Sequence, residues 1–173
     1  MQRKIKNGYD EFYQSKFTCN DDWTEASIFW HPRRWIATLA KKEKGSCLVI
    51  GCGIIDLQIL YSHKKELIGI DISRVPLTRV KKFGQVILAD GTMLPFCNSV
   101  VNTVCAFDVL EHVPNKIALM IEANRVLRNE GKIFLSVPIK TKDMKEDDRQ
   151  PFDEPPTLNF LLKIVKRNFA CRL

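Results

Sequence analysis

From Cys47 onward the chain alternates short apolar runs with amphipathic stretches. The runs are Cys47–Ile50, Leu67–Asp71, Gln85–Ala89, Thr103–Phe107 and Lys132–Val137, rich in Val, Ile and Leu. Apolar runs this short, bounded by turn residues, read as strands buried on both faces. Between them Ile55–Tyr61, Arg74–Phe83 and Asn115–Arg128 carry apolar residues at helical spacing. In the last of these, Ile117, Met120, Ile121, Ala123 and Leu127 form the stripe, and Asn129-Glu130-Gly131 is expected to stop it. Strands alternating with helices predict an α/β fold with a doubly wound, mostly parallel sheet and right-handed crossovers. Ligands in such sheets bind beyond the carboxyl ends of the strands.

The flanks follow other patterns. Tyr9 to Phe17 is polar-aromatic. Ser27 to Lys42 has helical spacing, and Pro32, which has no N–H to give a helix ladder, predicts a break or a fresh start there. Lys140 to Gln150 is a charged run of the composition that stays mobile, and Thr157 to Lys166 is again helical. Phe169 to Leu173 reads as the start of another strand. The expected organisation is one domain, 1–173. It comprises a helical cap segment (1–44), a ligand-binding core (45–138), and a mobile loop with a C-terminal helix (139–173).

Composition narrows the class. The 173 residues are 45% hydrophobic and 27% charged, ordinary values for one globular domain with a real core. No apolar run reaches the length of a membrane span, and the basic start Met1 to Lys6 lacks the apolar centre of a secretion signal. A cytoplasmic location is the resulting expectation. Cysteines at 19, 47, 52, 97, 105 and 171 form no CxxC pair, so free thiols and no metal site are expected. The formal charge of +7 is spread over short clusters such as Lys64-Lys65 and Lys81-Lys82. Such clusters are usually solvated faces. A nucleic-acid or membrane-surface partner has no motif behind it.

The chemistry concentrates at three strand ends. The first strand runs into Gly51-Cys52-Gly53, the second ends in Asp71, and the third is followed by Asp90. Glycines let a backbone approach a ligand closely. A carboxylate at the next strand tip can accept both hydroxyls of a ribose. A second carboxylate one strand further suits a nucleoside whose base also needs a polar partner. A nicotinamide dinucleotide fits less well, because Asp56 stands where the last glycine of GxGxxG belongs. His112 follows the fourth strand and is the histidine placed to act as a general base near neutral pH. Asp108 and Glu111 beside it read as loop or capping carboxylates rather than catalytic ones. Cys52, at a glycine turn before a helix, would have a lowered thiol pKa if read as a nucleophile, a reading that is disfavoured. Trp23, Trp30 and Trp35 would line an acceptor pocket or pack on the sheet edge.

In the order in which they occur, these segments resemble class I S-adenosylmethionine-dependent methyltransferases, in particular the type 11 branch. Val49-Ile50-Gly51-Cys52-Gly53 resembles the first motif of that family, and Gly69-Ile70-Asp71-Ile72-Ser73 the second. Ala89-Asp90-Gly91-Thr92-Met93-Leu94-Pro95-Phe96 resembles its acidic residue and "LPF" loop. Phe107 to Val113 resembles the stretch after the fourth strand, and Arg125-Val126-Leu127-Arg128-Asn129-Glu130-Gly131 the "RVLKPGG" turn. The resemblance implies a Rossmann-like fold, S-adenosylmethionine as cofactor, and a small-molecule methyl acceptor. Gly51, Cys52 and Gly53 would pass beside the methionine part. Asp71 would take the ribose hydroxyls, Ile72 would pack on adenine, and Asp90 with Gly91 would meet the adenine amino group. Phe107 would offer its carbonyl near the ammonium, and His112 would stand by the sulfonium.

The sequence departs from the family pattern in three places. Val49 replaces an acidic residue, and Ile55 replaces the third glycine of GxGxG. A β-branched residue at positive φ would be strained and would crowd the ligand. The family sheet has seven strands, whereas this chain ends soon after Asn168, so a C-terminally truncated sheet with an open edge, available to an oligomer partner, is expected. The alternative to an enzyme is a methyltransferase-fold protein that binds or regulates a partner without catalysis.

Overall fold

The computed structural model describes residues 2–16, 32–61, 66–140 and 154–169. Helix α1 (Gln2–Lys16) and helix α2 (Pro32–Lys42) precede the sheet. Then come β1 (Cys47–Ile50), α3 (Asp56–Leu60), β2 (Leu67–Asp71), α4 (Arg74–Val80), β3 (Gln85–Leu88) and β4 (Val101–Phe107). A 3₁₀ turn (Leu110–His112), α5 (Lys116–Val126), β5 (Leu127–Ser136) and α6 (Leu158–Asn168) complete it. Proline at the first position of α2 fits a helix start, where its missing N–H costs nothing.

The sheet order is β3-β2-β1-β4-β5, and every pairing is parallel. The chain winds outward from β1 to β3, then returns to place β4 against the other side of β1. That reversal makes the carboxyl ends of β1 and β4 the switch point where an α/β sheet opens a crevice. The pleat sorts the side chains. Leu48 and Ile50 face a core completed by Leu119, Met120, Ala123 and Val126 of α5 and Ile164 of α6. Cys47 and Val49 face the opposite core, with Ala37 and Ala40 of α2, Leu57 and Leu60 of α3, and Leu77 and Val80 of α4. Covering on both faces explains the continuous apolar runs.

Several boundaries differ from expectation. β5 begins at Leu127 rather than Lys132, because Leu127 pairs with Val101 before a bulge and Lys132 then pairs with Thr103. Glu130 within that bulge has φ +64. Asn168 closes α6 and Phe169 is extended; residues 170–173, the rest of the expected strand start, lie outside the described residues. The expected mobile run Lys140 to Gln150 lies outside them too, apart from Lys140, as do Trp23 and Trp30. Trp35 is 83% exposed on α2 and does not line the cavity at the carboxyl ends of the strands. Among the described residues β5 is an edge strand, and no helix is long and apolar enough to cross a membrane.

Candidate functional site

A cavity of about 360 Å³ lies at the carboxyl ends of the strands. It is within the size range of small-molecule sites. Its floor includes Ile50, Gly51, Ile70, Asp71, Ala89, Asp90 and Gly91. Its far wall runs from Asp108 and Val109 through His112 to Asn115, and α1 supplies Tyr9 and Tyr13 from above.

The glycine turn is built by steric necessity. Gly51 and Gly53 have φ +61 and +49. A β-carbon on Gly51 would stand 2.5 Å from Cγ2 of Val109, so only glycine fits there. At Gly53 the space is open except for the Tyr13 hydroxyl, 3.6 Å from where a β-carbon would be. Cys52 turns the other way and is buried in the core behind β1. Burial, then Asp71 and Asp56, push its thiol pKa up, opposite to the expectation for a nucleophile. Ile55 has φ −125, an ordinary value for a β-branched residue, and it does not line the cavity. The strain and crowding expected of it are therefore absent. Val49 is buried in the same core as Cys52.

Asp71 is 6% exposed. Its Oδ2 accepts from the Gly53 N–H at 3.0 Å and its Oδ1 from the Ser73 N–H at 2.9 Å. The carboxylate thus ties the glycine turn to the end of β2. Burial pushes its pKa up to about 6, against these backbone donors, and Asp10 adds a small like-charge push. The Ser73 hydroxyl donates to Asp10 Oδ1 at 2.5 Å, which fastens α1 to the same strand end, and accepts from the Val75 N–H as the cap of α4. Ile72 and Gly91 line the cavity on either side.

Asp90 is half-buried. Its Oδ1 accepts from both the Thr92 N–H (2.8 Å) and the Thr92 hydroxyl (2.7 Å), a local turn that sets the carboxylate toward the cavity. The following loop is held at a distance by Arg125 of α5. Its guanidinium donates to Leu94 O, Phe96 O and Asn98 Oδ1 and pairs with Glu122, while Glu122 Oε2 accepts from the Leu94 N–H at 2.7 Å.

His112 lines the cavity, its Nε2 3.7 Å from Glu111 Oε1 and its ring edge-on to Tyr9 at 5.8 Å. Asp108 has φ +52 and accepts from the Ser136 hydroxyl at 2.8 Å. The ring of Phe107 is buried in the core away from the cavity, so only its backbone is near the site. The cavity therefore brings together Gly51, Asp71, Ile72, Asp90, Gly91 and His112, with Gly53 bonded to Asp71 at its edge. Tyr9, Tyr13, Thr92 and Asn115 also line it and were not singled out from the sequence. The i, i+4 spacing of Tyr9 and Tyr13, which puts both rings on one helix face, was the available signal.

A family model described as a methyltransferase domain matches residues 48–135. An uncharacterized protein of Methanocaldococcus jannaschii is 34% identical over 116 residues, covering 65% of this chain and 51% of the relative. The sterol 4-C-methyltransferase strm-1 of Caenorhabditis elegans is 27% identical over 124 residues, covering 66% of this chain and 37% of the relative. The chain thus spans about half or less of the length of these curated relatives. Among solved structures, a SAM-dependent methyltransferase of Thermotoga maritima superposes with a TM-score of 0.72 at 15% identity, covering 95% of this chain and 80% of that one. Phosphoethanolamine N-methyltransferase 2 of Haemonchus contortus, in complex with phosphomonomethylethanolamine and S-adenosylhomocysteine, gives 0.70 at 17% identity, covering 95% and 44%. At these identities the structural likeness speaks for the fold.

Proposed function

Because this chain belongs to the methyltransferase-domain family, we propose that its cavity binds S-adenosylmethionine and directs the methyl group to a small-molecule acceptor. The observation that carries this reading is the convergence of Asp71, Asp90 and the bare Gly51 turn on one crevice. The donor set suits an adenosine. Asp71 has acceptor capacity for the ribose hydroxyls beside its backbone partners, since each carboxylate oxygen has two lone pairs. Ile72 offers an apolar face to the base, and Asp90 with the Gly91 backbone offers partners to its edge. A side chain at Gly91 would stand 2.8 Å from Ile50 Cγ2, so this wall needs glycine for closeness.

When bound, the cofactor supplies an electrophilic methyl on a good leaving group. The protein's work is to hold and align, and to exclude water. α1 roofs the cavity through Tyr9 and Tyr13, and His112, which lines it with Asp108, would take a proton from the acceptor. A sterol 4-C-methyltransferase and a phosphoethanolamine N-methyltransferase among the similar proteins make a carbon or amine nucleophile the first acceptors to try. Isothermal titration with S-adenosylhomocysteine tests the reading. Micromolar binding supports it, and no heat at millimolar ligand overturns it in favour of a non-catalytic role.

A further inference from the structure

We infer that the outward face of α6, together with the neighbouring outer face of α5, docks on an anionic lipid bilayer. This surface is separate from the cavity and does not depend on the cofactor reading.

Two observations carry it, one of packing and one of charge. α6 buries Ile164 and packs Leu161 and Val165 on the same core, which anchors it to the sheet. Yet Leu158, Phe160 and Leu162 are apolar too, and they are 53%, 38% and 40% exposed. Leu158 and Leu162 stand one turn apart on one flank of the helix, and Phe160 lies on the other. α5, which packs against α6, adds Ile117 and Ile121 at the same spacing, 41% and 50% exposed. Five of the ten exposed large apolar side chains among the described residues sit on these two helices, so the exposure is concentrated rather than scattered.

Between the two flanks of α6 lie Lys163, Lys166 and Arg167, all exposed, and the helix has no acidic residue. None of the three has an ion pair among the described residues. The acids beside the face are already paired, Glu154 with Lys116 and Glu122 with Arg125. Cations set between apolar flanks match a layer of anionic headgroups. The charged tips meet phosphate and carboxylate, while the apolar side chains reach the acyl boundary. Other occupants fit less well. A second copy in a two-fold contact would set the same three cations against each other. Nucleic acid would pair with the cations but gain nothing from Ile117, Ile121, Leu158 and Leu162. Because the strongest apolar stripe of α6 is spent on the core, the helix docks by its flanks and does not insert. Asn115, the cap of α5, also lines the cavity, so docking brings one rim of the cavity toward the bilayer.

The test is co-sedimentation of the full chain with vesicles of phosphatidylcholine and phosphatidylserine, against vesicles of phosphatidylcholine alone. The chain is expected to bind the mixed vesicles, to leave the neutral ones free, and to bind less as salt is raised. Lys163→Gln combined with Lys166→Gln should lower the partition coefficient about thirtyfold. Lys81→Gln combined with Lys82→Gln removes the same charge beside β3, at the opposite edge of the sheet, and should change it about twofold at most. Leu158→Ser combined with Leu162→Ser should lower it about tenfold, with circular dichroism confirming that these exposed substitutions leave the fold intact. No binding of the unsubstituted chain to the mixed vesicles, equal losses from the two lysine pairs, or an unaffected leucine pair overturns the inference. So does a dimer in light scattering that the leucine pair abolishes. A single-stranded RNA oligomer bound in preference to the vesicles, and lost with Lys163 and Lys166, overturns it in favour of nucleic acid.

Discussion

Asp71 and Asp90 end neighbouring strands of one sheet and face one cavity, yet the fold holds them in opposite ways. Asp71 is buried, takes backbone N–H groups from two separate segments, and has its pKa lifted to about 6. Asp90 is half-buried and anchored inside its own turn by Thr92. The first is a joint of the fold that also lines the cavity. The second is a cavity-facing group on a loop, and that loop is fixed at a distance by Arg125 and Glu122. Similar residues at similar positions thus carry different loads, and removing either should reveal which.

The largest expected effect comes from Asp71→Ala. On the proposed binding it removes the acceptor for the ribose hydroxyls, and it releases the Gly53 N–H, so S-adenosylhomocysteine affinity should fall at least about a hundredfold by calorimetry. Asp90→Ala producing an equal loss would erase the distinction. Next is Arg125→Met, which strips donors from Leu94 O, Phe96 O and Asn98 and leaves Glu122 without its cation. Solvent reaches the pair, which tempers the loss to about 2 kcal/mol in a denaturant titration. Arg125→Lys should not restore it, since a single ammonium cannot reproduce the fork. Asp90→Asn keeps the turn acceptor and loses the charge, and should weaken the ligand about tenfold.

The same comparison can be read with protons. Asp71 has a folded-state pKa raised above the ordinary carboxylate value, chiefly by burial, with Asp10 facing it from α1 and Asp56 and Tyr13 nearby. Stability from this group is therefore fully present below the ordinary carboxylate range and is lost as pH rises through about 6. On the proposed binding, ligand affinity needs the ionised form, so it moves the other way and should drop about tenfold from pH 7 to pH 5. Melting curves against pH, with and without S-adenosylhomocysteine, should diverge across that interval. Parallel curves would mean that Asp71 does not titrate there.

The part of this design legible in the sequence was the part fixed by backbone. Five apolar runs became five strands; burial on both faces demands uninterrupted apolar residues in the central β1, β2 and β4, while the edge strands β3 and β5 are only partly buried. The glycine turn was visible because positive φ at Gly51 and Gly53 restricts residue type, and the aspartates because each stands just where an apolar run stops. What stayed hidden depends on which distant segments meet. Nothing in the pattern of α1 says that Tyr13 would lie over Gly53, or that Asp10 would reach Ser73. Ile55 misled for the same reason, since the family pattern assigned it a glycine's conformation, whereas the positive φ values of the turn fall at Gly51 and Gly53 and Ile55 takes φ −125 before α3.

The smallest expected effect is a gain, and it serves as the control for the others. Glu130 holds φ +64 in the bulge where β5 turns out of α5, at the position where the family's "RVLKPGG" pattern has its first glycine. An L-residue with a side chain is disfavoured there, while glycine is at ease. Glu130 is exposed and far along the strand from the cavity, so its side chain adds little in compensation. Glu130→Gly relieves the strained conformation but makes the unfolded chain freer, so the two effects partly offset. A net stabilisation of about 0.5–1 kcal/mol should remain, read as a shift in denaturant midpoint. Affinity for S-adenosylhomocysteine should not change. If it did, the two strand tips would be coupled to the far end of β5, and the separation between a buried joint and a looped-on partner would no longer hold.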